Sequence, residues 1–167
     1  MYKFLLLLSF LAFSGFNSFA QETPAEEIPV YLRFPTIPQF TLAKAPDSIS
    51  YTRDNLKKKV NTLFFIFSPD CNHCQYETGE IIKNIKKFKD AQIVMITYFP
   101  WDQMMPFYNH YKIGNYPQIT MARDNNYFFP TFFKVRNFPS TFIYDKKGNF
   151  KKAFDGAVKI EDILKEL

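Results

Sequence analysis

Asn61-Thr62-Leu63-Phe64-Phe65-Ile66-Phe67-Ser68-Pro69-Asp70-Cys71-Asn72-His73-Cys74 is the stretch on which the reading of this chain turns. Its first seven residues are almost continuously apolar over the length of one strand. That pattern predicts a strand buried on both faces, as in the middle of a parallel sheet. Ser68-Pro69-Asp70 stops it. Beyond the stop, Ile81, Ile82, Ile85 and Phe88 recur at helical spacing among lysines, which predicts one amphipathic helix from about 71 to 88. Both cysteines then occupy its first turn.

These are the only 2 cysteines in the chain. A helix start presents unpaired backbone N–H groups and the positive end of the helix dipole, and both favour a thiolate over a thiol. Cys71, the outer position, is therefore the expected nucleophile, and Cys74, nearly one turn further in, the expected resolving thiol. His73, if protonated, supports the thiolate, whereas Asp70 places an anion beside it, so both residues are expected to tune the redox poise. A purely structural disulfide is the plain alternative, but a bridge closing so short a loop restrains the unfolded chain little. A zinc or copper carrier using the same sulfurs with His73 or His110 is another. It lacks a second Cys-x-x-Cys or His-x-x-x-His half, so no metal is expected. His110 reads as a surface or packing residue.

Working outward, Ala91 to Tyr98 reads as a strand, Trp101 to Lys112 as a helix and Gln118 to Met121 as a short strand. Strands alternating with helices imply crossover connections. Ser140 to Tyr144 and Asn149 to Phe154 flank Asp145-Lys146-Lys147-Gly148, an antiparallel hairpin with glycine where the turn needs positive φ. Ile160, Ile163, Leu164 and Leu167 give a closing helix. Upstream, Pro24, Pro29, Pro35 and Pro38 mark residues 21–38 as an extended lead-in, with the core starting near Phe40.

The chain has 167 residues, 47% of them hydrophobic, enough for one compact domain. Lys3 followed by the apolar run Phe4 to Phe13 and by Ser18-Phe19-Ala20 has the form of a signal peptide, residues 1–20, cleaved after Ala20. The run is too short for a transmembrane helix, and no comparable one follows, so export to a periplasm or to the outside is expected, without stable membrane insertion. Lys3 is the only charge among the first twenty residues, leaving 20 basic against 16 acidic side chains. The lysines follow a solvated-face pattern rather than a phosphate-tracking one, and no nucleic-acid partner is expected.

Taken together, the segments Phe64 to Cys74 and Asn137-Phe138-Pro139-Ser140-Thr141-Phe142-Ile143-Tyr144-Asp145-Lys146-Lys147-Gly148 resemble the thioredoxin superfamily, and more closely its exported TlpA-like branch. The likeness covers residues 39–167. It implies an α/β thioredoxin-like fold: a central mixed sheet flanked by helices, with a C-terminal antiparallel hairpin and helix. It also implies a thiol–disulfide oxidoreductase, more often a reductase than an oxidant. Such an enzyme needs no cofactor, exchanges with protein dithiols and disulfides, and is served by an upstream exchange partner. Pro139 would be the cis-proline facing the cysteines, with Phe138 beside it on the substrate surface. Glu77 falls where this branch often carries a glutamate near the disulfide. It reads equally as a proton-transfer group or as a first-turn acid favoured by the helix dipole. Three positions depart from the pattern: Phe65 replaces the buried acid of thioredoxins, Asp70 the usual tryptophan and Asn72 the common proline. A peroxidase reading, suggested by Ser68 three residues before Cys71, lacks the upstream proline of that motif, since Phe64 stands there.

Overall fold

All six residues of the strand Asn61–Ile66 are buried, and the architecture is arranged around it. The computed structural model describes residues 28–167. The leader, its cleavage after Ala20 and the first part of the lead-in fall on residues 1–27, outside the described residues. In chain order the elements are α1 (Val30–Arg33), β1 (Thr41–Lys44), β2 (Ile49–Thr52), β3 (Asn61–Ile66), α2 (Asn72–Lys83), β4 (Ala91–Thr97), α3 (Trp101–His110), β5 (Ile119–Arg123), α4 (Phe128–Phe133), β6 (Ser140–Tyr144), β7 (Phe150–Asp155) and α5 (Ile160–Lys165). The strands form one sheet in the order β2-β1-β5-β4-β3-β6-β7. β3 pairs parallel with β4 and antiparallel with β6, so the sheet is mixed, as expected for this α/β chain.

Alternation along β3 divides the interior into two cores. Leu63 and Phe65 point to one side, with Ile93 and Met95 of β4, and meet Cys74 and Ile81 of α2, Met104 and Phe107 of α3, and Ile160 and Ile163 of α5. Phe64 and Ile66 point to the other, with Val94 and Ile96, and meet Phe129 and Phe133 of α4. This second core is built largely of rings. Phe64 has ring centroids 5.8, 5.2, 6.1 and 5.7 Å from those of Phe40, Phe129, Phe133 and Tyr144, spacings at which aromatic pairs gain beyond simple area burial.

Several expectations need correction. Residues 71–88 are not one helix. α2 stops at Lys83, where Asn84 leaves helical geometry at φ −102° and ψ 13°. Its side-chain amide donates to the Glu80 carbonyl at 2.9 Å, and Ile85–Phe88 continues as a 3-10 turn. The lead-in is not simply extended, because Val30–Arg33 forms one helical turn. Tyr31 drops into the aromatic core against Phe133, Phe142 and Phe150, and that packing overrides the proline-rich composition. The helix after β4 ends at His110, two residues early, since Lys112 takes a left-handed φ of 49°. The hairpin from β6 to β7 follows its expected course, with Gly148 at φ 85°.

Replacing Phe64 with alanine removes a ring with no exposed surface from among four others, so Phe64→Ala is expected to cost about 3–5 kcal/mol in denaturant unfolding. A loss below about 1 kcal/mol, the level of a conservative hydrophobic swap, would contradict the packing described.

Candidate active site

β3 ends at Ile66, Phe67 N–H still donates to the Ile96 carbonyl at 3.0 Å, and Pro69 then follows with no N–H to offer. Cys71 N–H donates to the Ser68 carbonyl at 3.2 Å, tightening the turn. Cys71 is then the N-cap of α2: its sulfur, not a hydroxyl or carboxylate, accepts the Cys74 backbone N–H at 3.2 Å. One of the helix's orphan donors is thereby spent on sulfur. Gln75 fastens the loop, its side-chain amide donating to the Pro69 carbonyl at 2.9 Å while the Gln75 backbone carbonyl accepts from the Tyr111 hydroxyl at 3.0 Å.

Both cysteines are free thiols with different surroundings. Cys71 is half-buried; Cys74 has no exposed surface. Burial, and then the neighbouring Cys71 sulfur, push the Cys74 thiol well above the ordinary range, so the inner sulfur stays protonated until something removes its proton. His73 and Asp70 both lie exposed at the rim. Among the described residues neither side chain makes a hydrogen bond or an ion pair.

The segment 137–140 closes the site from the other side. The Phe138–Pro139 peptide bond is cis, and the Cys71 thiol donates to the Phe138 carbonyl at 3.6 Å. Asp155 secures this segment, accepting from Asn137 N–H at 3.2 Å and from the Ser140 hydroxyl at 3.3 Å. Gly156 N–H donates to the Pro139 carbonyl at 3.0 Å. Phe138 touches Tyr98 and Phe99 with ring centroids 6.0 and 6.4 Å apart, and Tyr98 lies 4.5 Å from Tyr127. The loops after β4 and β5 thus bring further rings to the site. Strand periodicity flagged none of these, although the run Tyr98-Phe99 at a strand end was an available signal.

Glu77 is only 2% exposed, in the second turn of α2 rather than the first. One carboxylate oxygen accepts the Val158 N–H at 3.1 Å, and the other has no hydrogen-bond partner. Burial raises its pKa from 4.5 to about 7, opposed by the Val158 bond. The dipole explanation, which needs a solvated acid in the first turn, does not describe this residue. The structure therefore gathers Cys71, Cys74, Glu77, Phe138 and Pro139 at the end of β3, leaving His73 and Asp70 outward. His110 lies exposed, lining a depression with Asp70, Gln75 and Gln103. Among the described residues no three His, Cys, Asp or Glu side chains converge as a metal site, and no helix is long and apolar enough to cross a membrane.

Comparison with known proteins agrees with this geometry. No curated protein matches the chain. Among solved structures it is similar to MTB DsbF, at 18% identity and a TM-score of 0.66 over 84% of this chain and 96% of that one. It is similar also to a secreted Mycobacterium tuberculosis disulfide oxidoreductase homologous to the DsbE of E. coli, at 15% identity and 0.64 over 77% and 93%. A peroxiredoxin-like protein from Aquifex aeolicus aligns at 14% identity and 0.63 over 78% and 82%. At such identities the likeness is one of fold, the thioredoxin-like α/β arrangement. A family model for the thioredoxin-like domain matches residues 50–167, which include the whole Cys71–Cys74 turn and the Phe138–Pro139 segment, and the chain belongs to that thioredoxin-like family.

Proposed function

We propose that the protein is an exported reductase that passes two electrons from the Cys71–Cys74 dithiol to disulfides of protein substrates. The observation that carries this reading is the sulfur N-cap: a half-buried Cys71 accepting the Cys74 N–H, with a wholly buried second thiol behind it. Cys71 attacks one sulfur of the substrate disulfide. That bond breaks, the departing substrate sulfur takes up a proton, and a mixed disulfide remains on Cys71. Cys74 then gives up its proton and attacks the Cys71 sulfur, releasing the second substrate thiol and leaving a Cys71–Cys74 disulfide. An upstream dithiol partner restores the reduced pair. The oxidant reading is the same exchange run backwards, and equilibration with glutathione decides between them.

Glu77 is the proposed acceptor of the Cys74 proton. A carboxyl held near pH 7 by burial suits that task, because it exchanges protons on either side of neutrality. His73 and Asp70 act in this reading as exposed polar side chains that tune the poise, and Phe138 and Pro139 receive the substrate backbone. Support for export comes from the leader-like residues 1–20, so the mature N-terminus is expected at Gln21.

Cys71→Ser is expected to reduce insulin disulfides no faster than background, and Cys74→Ser to accumulate mixed disulfides on Cys71 that non-reducing gels resolve. Retained turnover in Cys71→Ser would end the enzyme reading. Trapping through Cys74 in that variant would reverse the two roles.

Glu77 also has a stability signature. Its folded pKa, about 7, exceeds the ordinary 4.5. The folded state therefore holds the proton more tightly, and the stability this provides is complete below about pH 4.5 and is lost as pH rises through about 7. Glu77→Gln cannot ionise and is expected to gain on the wild type by about 3 kcal/mol between pH 4 and pH 8 in urea unfolding. Parallel pH profiles would show that the carboxyl titrates as an ordinary surface acid.

A further inference from the structure

The pole opposite the cysteines combines unpaired cations with exposed apolar side chains. Cys71 follows the C-terminal end of β3, whereas Lys58 and Lys59 precede its start, on the order of 20 Å away along a six-residue strand. Lys146 and Lys147 belong to the turn after β6, whose last residue Tyr144 is paired with Thr62, so they stand beside the start of β3. The four lysines border one depression of about 620 Å³. None of them makes a side-chain hydrogen bond or ion pair among the described residues. Two acids share the depression, Asp54 and Asp145, whose carboxylate accepts from Lys147 N–H, Asn149 N–H and the Asn149 side chain, so the four lysines outnumber them.

Beside this cluster runs the segment after α1. The Pro35 carbonyl accepts from Phe150 N–H at 2.8 Å, and Ile37 N–H donates to the Gly148 carbonyl at 3.0 Å, so residues 35–37 are strapped to the same turn. Phe34, next to that strap, is 63% exposed, and Leu32, two residues back, 46%. Tyr31, between α1 and the sheet, is spent on the aromatic core. Large apolar side chains left in water beside lysines that outnumber the acids around them are the two ingredients of adsorption to an anionic lipid surface. The cations are drawn to the headgroups, and the apolar groups enter the interfacial layer.

We propose that this pole docks the protein onto anionic phospholipid membranes, with the Cys71 pole facing away from the bilayer. An acidic protein would answer the lysines but give Phe34 and Leu32 no apolar layer to enter, so the lipid surface is the better fit. The proposal is independent of the direction of electron flow and of the roles assigned to Glu77 and His73.

The test uses the mature chain, its N-terminus fixed by mass spectrometry, sedimented with vesicles of phosphatidylcholine alone or mixed with phosphatidylglycerol. Binding is expected only to the mixed vesicles and is expected to weaken as salt is added. The combined variant Lys58→Gln, Lys59→Gln, Lys146→Gln, Lys147→Gln is expected to bind at least about tenfold more weakly, since each lysine near such a surface contributes separately. Phe34→Ser should weaken binding a few-fold, with insulin reduction in solution unchanged in both variants. Undiminished vesicle binding by the four-lysine variant, or equal affinity for neutral vesicles, overturns the proposal. So does slower alkylation of Cys71 on the vesicles, because it would put the redox pole against the lipid.

Discussion

A strand that must be dry on both faces is the constraint from which the rest of this molecule follows. No residue of β3 is more than 3% exposed, from Asn61 to Ile66. Each side chain needs an apolar partner on its own side, and the alternation of the strand sends successive residues to opposite cores. Helices must cover both faces, and paired strands must lie on both edges. Once Phe67 and Ser68 pass the edge of the sheet, chain continuity allows a turn and a helix start at that end of the strand. Cys71 is at the N-cap for that reason. The cysteine pair inherits its rigidity from this buried strand.

The second feature of the site, its asymmetry, comes from the opposite side of the chain. The Glu77 carboxylate is held by Val158 N–H, and Val158 leads directly into α5, whose Ile160 and Ile163 pack into the same core as Cys74. The last helix thus closes over the second turn of α2. It dries the space around the inner thiol and the carboxyl together, and one packing event raises the pKa of both.

These two features differ in how far they could be read before folding. β3, the head of α2 and the β6–β7 hairpin carry strong local signals: an unbroken apolar run, a Pro stop before two cysteines, and a turn ending in Gly148. The β1–β2 hairpin has strands of four residues separated by Pro46, too short for alternation to register. α4 reads Phe128-Phe129-Pro130-Thr131-Phe132-Phe133, with no polar stripe and a proline inside, so helical periodicity had nothing to detect. It begins because the buried Asp124 carboxylate accepts the Phe129 N–H at 2.7 Å, and Asp124 is not even its N-cap. At the site, the type and position of Glu77 were legible. Its burial was not, since the bond to Val158 spans 81 residues of sequence. His73 and Asp70 were legible as titratable side chains near the cysteines, whereas their outward placement depends on how α2 rotates against the sheet.

The two cores also differ in their elements. Met95, Met104 and Met121 are buried on the Cys74 side of the sheet, with Met105 packed against them, while the core around Phe64 contains neither methionine nor cysteine. Every sulfur of the described residues therefore lies on one side of the sheet. Thioethers are soft and polarisable, and they fill irregular space around the inner thiol. They are also the groups that an oxidant converts to polar sulfoxides. Oxidation of sulfur in the described residues would be confined to the side of the sheet that carries the cysteines and would leave the aromatic half of the interior chemically intact.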